Sequence, residues 1–147
     1  AFPRSFLRDD RLAFSFSGLK TAVLYAIRGP NQERGPVQPE PAAIPDLAAS
    51  FQEAVVDVLV AKTRQALRRT GLKRLGVGGG VAANARFRRR LTEMTDKIGV
   101  QVFIPPTSLC TDNAAMAGIA LVKLAAGETS GLDVDVAAGL VRPGRKG

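Results

Sequence analysis

Gly76-Val-Gly-Gly-Gly-Val-Ala-Ala-Asn84 decides how this chain of 147 residues is to be read. The short apolar run Leu75-Gly76-Val77 predicts a strand over 73–77, and three successive glycines follow. A helix-forming stretch then predicts a helix over 81–98 that buries Val81, Phe87, Leu91, Met94 and Ile98. Val100–Ile104 reads as a second strand ended by Pro105-Pro106, and an alanine-rich helix is expected over 112–126. The order β-α-β-α implies parallel strands joined by helical crossovers, hence an α/β fold. Ligands in such sheets bind beyond the carboxyl ends of the strands. The glycine turn at 78–80 and the loop at 105–112 both follow strands, so both are expected on one rim.

Glycines at that turn let a ligand approach the backbone where a side chain would block it. A helix N-terminus leaving the turn offers N–H groups and a positive dipole end. The triplet alone has a plain structural alternative, a tight turn that packs helix on sheet. It has neither the Gly-x-Gly-x-x-Gly spacing of a dinucleotide fingerprint nor the Gly-Lys-Ser/Thr ending of a P-loop. Asn84, in the expected first helical turn, is either an amide donor to a ligand or a local cap. Asp112 has the same two readings, metal ligand or helix cap. Cys110 reads as a small apolar residue, because no base is available to activate it.

Working outward, Phe14-Ser-Phe16 alternates apolar and polar, a weak strand signal. Leu19, Val23, Ala26 and Ile27 place a helix over 19–28. Residues 29–45 hold prolines 30, 36, 39, 41 and 45 and read as a Pro-rich loop. Asp46 opens the clearest helix, running to about Thr70, with Leu47, Phe51, Val55, Val58, Leu59 and Ala66 as its stripe and Gly71 as its C-terminal cap. The expected organisation is therefore strand and helix over 1–28, the loop, an α/β core over 46–127, and an irregular tail over 128–147.

Composition narrows the chemistry. With 46% hydrophobic and 23% charged residues the chain is globular. No run approaches the ~18 apolar residues of a membrane span. A single cysteine excludes an internal disulfide and fits a cytoplasmic setting. There is no histidine, which removes Ser-His-Asp and Cys-His catalysis and any His-x-x-x-His or His-Glu-x-x-His metal helix from these residues. The net charge is +8, and Lys62, Arg64, Arg68, Arg69, Lys73, Arg74, Arg86, Arg88, Arg89 and Arg90 occur with no Asp or Glu between them. Such a concentration attracts polyanions, or else solvates helix faces and ends.

Three segments occur together and in order: Phe14-Ser-Phe-Ser-Gly-Leu-Lys-Thr-Ala-Val23, Gly79-Gly-Val-Ala-Ala-Asn84 and Cys110-Thr-Asp-Asn-Ala-Ala-Met116. With Phe2-Pro3-Arg4 and the segment Ser50–Asp57, they resemble the C-terminal half of the TsaD family, the tRNA N6-adenosine threonylcarbamoyltransferases, formerly described as O-sialoglycoprotein endopeptidases or glycoproteases. The resemblance covers residues 2–126. It implies the C-terminal lobe of an actin-like, sugar-kinase and heat-shock-chaperone ATPase fold. It also implies transfer of a threonylcarbamoyl group from threonylcarbamoyl-AMP to N6 of adenosine 37 of tRNA.

By the same resemblance, Gly79, Gly80 and Asn84 match adenylate-binding positions. Asp112 matches one ligand of a divalent metal, iron or zinc. The partners implied are tRNA and the accessory proteins of the threonylcarbamoyladenosine pathway. The family's two metal-binding histidines lie in its N-terminal half and have no counterpart here, so a lobe inactive by itself is expected and no residue is assigned a catalytic role. The alternative is a nucleotide-binding, regulatory half-protein that acts through partners. A protease finds no support in the residues.

Overall fold

The computed structural model describes residues 1–7, 9–28 and 43–131. Two compact units divide the chain, Ala1–Thr111 and Asp112–Gly147, so the core expected over 46–127 spans their boundary. The first unit holds α1 (Ser17–Arg28), α2 (Ile44–Thr70), β1 (Arg74–Gly76), a 3₁₀ turn (Gly80–Ala83), α3 (Ala85–Lys97), β2 (Gln101–Phe103) and a second 3₁₀ turn (Thr107–Leu109). The second unit holds a 3₁₀ turn (Ala114–Met116) and α4 (Ala117–Ala125).

β1 and β2 pair in parallel, with Arg74 opposite Gln101, Leu75 opposite Val102 and Gly76 opposite Phe103. The crossover between them is α3, so the β-α-β order expected from the sequence is the order found. Among the described residues this two-stranded sheet is the only one. Phe14-Ser-Phe16, expected as a strand, joins no ladder there. Its two aromatic rings stack on each other, 6.5 Å between centroids. A strand needs a partner for its N–H and C=O groups, and alternation over three residues cannot supply one.

α2 begins two residues before the expected start, and Pro45 falls in its first turn, where a missing N–H costs nothing. The Pro-rich loop therefore ends before Ile44, and residues 29–42 lie outside the described ones. Gly71 closes the helix as expected: it adopts φ 69°, and its N–H reaches the Leu67 carbonyl at 2.9 Å.

The buried residues of α2 depart from the expected stripe. Of that stripe Val58 is buried, Leu47, Val55, Leu59 and Ala66 are half-buried and Phe51 is exposed, while Ala54, Val56 and Val60, outside it, are buried. Positions two apart lie about 200° apart around a helix, so burial at successive even positions means cover on opposite sides. One side packs with Phe87, Leu91 and Met94 of α3 and with Val100. The other meets Phe2 and Leu19, with Phe16, Ala22 and Val23 alongside.

The expected helix over 81–98 divides in two. The 3₁₀ turn Gly80–Ala83 comes first, and α3 proper starts at Ala85 with Asn84 as its N-cap. Phe87, Leu91 and Met94 are buried and Ile98 half-buried, but Val81, in the tighter turn, is 57% exposed. The last helix is likewise shorter than expected, starting at Ala117, and residues 128–131 carry no regular structure. The remainder of the tail, 132–147, lies outside the described residues.

Candidate functional site

Val77 donates its N–H to the Phe103 carbonyl at 3.0 Å, so both strands release the chain at one edge of the sheet. There the glycine turn and the loop 105–110 are joined by one side chain. Arg88 of α3 donates from Nε to the Ala82 carbonyl and from Nη2 to the Pro105 carbonyl. The same Nη2 lies 3.1 Å from Cys110 Sγ. Cys110 is 1% exposed, and its thiol faces the carbonyls of Pro105 and Pro106. A guanidinium presents five N–H donors in a fixed plane, which suits tying two turns together. The common rim expected from strand order is thus present up to Thr111. Sequence reading counted Arg88 only as one more surface charge.

At the glycine turn the conformation is special at one position. Gly79 has φ 86° and ψ 171°, a region essentially restricted to glycine. A Cβ built on Gly78, Gly79 or Gly80 meets nothing within 4 Å. These glycines therefore do not serve to pack helix on sheet, the plain structural reading of the triplet. They leave an open backbone surface.

Asn84 both caps and reaches outward. Its Oδ1 accepts from the Phe87 N–H at 2.9 Å, which satisfies an orphan donor of the first turn of α3. Its Nδ2 donates to Gln52 Oε1 at 3.0 Å. Placing Asn84 within the first helical turn was one residue too far in, since it stands at the cap. Gln52, which sequence reading did not single out, enters through that amide pair.

A cleft of ≈ 440 Å³ opens between this turn and the N-terminal half of α2. Phe51, Val55, Val81 and Phe87 form apolar walls, while Gln52, Asn84 and the Gly80 backbone supply the polar positions. Apolar walls with a few converging amides are what a flat heteroaromatic ring needs: stacking surface and directional hydrogen bonds. Gly80 and Asn84, two of the expected site residues, border this cleft, and Gly79 adjoins it in the chain.

Behind the cleft, charges lock α2 to α3. Arg86 pairs with Glu53 (Nη2 to Oε2, 3.0 Å), Arg90 with Glu53 (3.4 Å) and with Asp57 (3.2 Å), and Arg4 with Asp57 (2.9 Å). The hydrogen bond from Arg86 holds the Glu53 carboxyl below the usual range, with the Coulombic pull of Arg86 and Arg90 acting the same way against partial desolvation.

Asp112 is the first residue of the second unit, where it is exposed. The capping role that competed with a ligand role belongs to its neighbour. Asn113 Oδ1 accepts from the Ala115 N–H at 3.0 Å. Among the described residues no three His, Cys, Asp or Glu side chains converge, so these residues by themselves do not build a metal centre. Nor is any described helix long and apolar enough to cross a membrane.

The family model for tRNA N6-adenosine threonylcarbamoyltransferase (TsaD) matches residues 1–119. Curated proteins of that name are similar over most of the chain. The one from Rhodopirellula baltica is 47% identical over 152 residues, covering 97% of this chain and 42% of its own length. The one from Syntrophotalea carbinolica is 49% identical, covering 91% and 38%. The one from Trichlorobacter lovleyi is 50% identical, covering 81% and 33%. The chain thus spans between a third and somewhat over two fifths of these relatives.

Proposed function

This chain belongs to the tRNA N6-adenosine threonylcarbamoyltransferase family, and from that premise we propose that it is the C-terminal lobe of a cytoplasmic, two-lobed, actin-like transferase that modifies tRNA. The observation that carries the reading is the cleft where the open glycine turn meets Asn84, Gln52 and the apolar walls. In this reading the adenine of threonylcarbamoyl-AMP lies between Phe51 and Val81. The amides of Gln52 and Asn84 bond its edge, and Gly79 and Gly80 let the rest of the adenylate approach the backbone.

The reaction is an acyl-type transfer. The N6 amine of adenosine 37 forms a bond to the carbamoyl carbon, the carbon–oxygen bond to phosphate breaks, AMP leaves, and the amine sheds a proton. With no histidine in the chain, that proton passes to a carboxylate, to the leaving phosphate or to a group outside these residues. Asp112 is proposed as the single carboxylate this chain contributes to a divalent metal, iron or zinc. The other ligands would come from elsewhere, and no step is routed through that ion. Accessory proteins of the pathway are the proposed partners besides tRNA.

The test uses the natural gene product with threonylcarbamoyl-AMP and an unmodified tRNA transcript, reading threonylcarbamoyladenosine by mass spectrometry. Asp112→Ala is expected to bring both transfer and bound metal to background. Unchanged modification and metal content would sink its role. Absence of any transfer by the unaltered protein, with AMP still bound, would favour the regulatory half-protein instead.

A further inference from the structure

We propose that the groove between the C-terminal halves of α2 and α3 is a docking track for the phosphate backbone of RNA. This rests on the reading of the chain as part of a tRNA-modifying enzyme.

The basic run 62–90 separates into two classes once the structure is considered. Lys62 is buried under the N-terminal segment, Arg86 and Arg90 are held by Glu53 and Asp57, and Arg88 by two carbonyls. Arg89 stands 3.9 Å from Glu93. Arg64, Arg68 and Arg69 of α2 are exposed, and no hydrogen bond or ion pair engages them among the described residues. The same holds for Lys97 in the last turn of α3. Arg64, Arg68, Arg69 and Lys97 line one open groove of ≈ 850 Å³, which Lys73 and Arg74, also exposed and without a side-chain partner among the described residues, do not border.

Four carboxylates line the groove too, but three of them are already matched. Asp9 is paired with Lys62 and Arg11, Asp57 with Arg4 and Arg90, and Glu93 with Arg89. Among the described residues Asp10 has only a long hydrogen bond from Gln65, 3.4 Å. Four uncommitted cations therefore face one uncommitted carboxylate.

Uncommitted guanidinium groups keep all their donors for phosphate oxygens, which they meet in bidentate fashion. Cations spread over two helices along an open groove suit a strand of phosphates better than a single anion. The groove shares no lining residue with the adenine-sized cleft, and its uncommitted cations lie farther along α2. Arg64 follows Gln52 by twelve residues, about 18 Å along α2 at the rise of an α-helix. One helix thus presents a base-sized cleft at one end and a phosphate track at the other.

The test is filter binding of an unmodified tRNA transcript to the natural gene product across a range of salt. For R64A/R68A/R69A/K97A the slope of log K against log[salt] is expected to become shallower by about 3 to 4. Affinity at low salt should fall at least about tenfold. R64K/R68K/R69K should keep the original slope, because the slope counts the charges that neutralise phosphates and not the geometry of their hydrogen bonds. K20A/R28A, which removes exposed cations of α1, should keep it too.

An unchanged slope in the quadruple variant overturns the proposal. So does an equal loss in K20A/R28A, or a loss of binding to phosphatidylserine vesicles without loss on tRNA. Failure of the transferase reading looks different: the unaltered protein then transfers nothing, while the quadruple variant still loses its salt slope.

Discussion

Asn84 shows how far a single residue can be read before its neighbours are known. An asparagine in a first helical turn reads either as a ligand donor or as a local cap, and its Oδ1 does meet the Phe87 N–H. Its second partner, Gln52, lies 32 positions away in sequence, and no local rule points to it. Asn84→Ala should therefore lower stability by about 1 kcal/mol in urea denaturation. AMP affinity, followed by calorimetry, should fall as well, because the Gln52 amide loses its orientation. Asn84→Asp should retain the cap and restore most of the stability but little of the affinity.

Gly79 was legible as permissive backbone, yet its conformation appears only in the fold. At φ 86° and ψ 171°, with open space around the missing Cβ, Gly79→Ala should cost about 1–3 kcal/mol through backbone strain alone. The same denaturation series measures it. Arg88 was illegible in its role. Nothing in a row of arginines tells which one will tie two turns together.

At the scale of elements, α2 explains the larger departures. A 3.6-residue stripe is the signature of a helix covered on one face, and α2 is covered on two. Val56 and Val60 then look like noise in the periodic pattern. Lys62 belongs to the same lesson. It is only 2% exposed, and its ammonium donates to the carbonyls of Asp9 and Arg11 (2.7 Å each), to Asp9 Oδ1 (3.1 Å) and to Gln65 Oε1 (2.9 Å). From sequence it was one basic residue near a helix end.

Lys62→Ala should cost about 2–3 kcal/mol, since hydrogen bonds to a charged group are lost and the Arg11 carbonyl is left without its donor, while Gln65 still serves that of Asp9. Arg68→Ala, exposed on the same helix, should change stability by less than about 0.5 kcal/mol. Guanidinium denaturation of the two variants side by side separates the buried lysine from the surface arginine.

Across the first unit, the chain Arg4–Asp57–Arg90–Glu53–Arg86 joins the N-terminal segment, α2 and α3. It gives the protein a defined response to acid. The folded state lowers the carboxyl of Glu53, chiefly through the Arg86 hydrogen bond, and that of Asp9, chiefly through Arg11. A carboxyl lowered on folding stabilises fully above its unfolded value, about 4, and that contribution is lost as pH falls through the folded value. Melting temperature should therefore hold steady from about pH 6 to 8 and decline below about pH 4. Glu53→Gln should lower the melting temperature at pH 7 and flatten the acid decline, which differential scanning calorimetry from pH 3 to 8 would show.

Composition, periodicity and turn chemistry were enough to dictate an α/β chain with parallel strands, the crossover helix α3, the cap at Gly71 and a glycine turn at a strand's end. Each follows from interactions among residues close in sequence, or from the period of burial. The pairing of Gln52 with Asn84, the bracing by Arg88 and the burial of Lys62 were decided by tertiary structure alone. So was the division of the basic run into committed and uncommitted charges. Those depend on which side chains meet across tens of residues, and charge or amide chemistry carries no address for its partner. The glycine turn was visible from the start, but the cleft it borders exists only because α2 packs beside it.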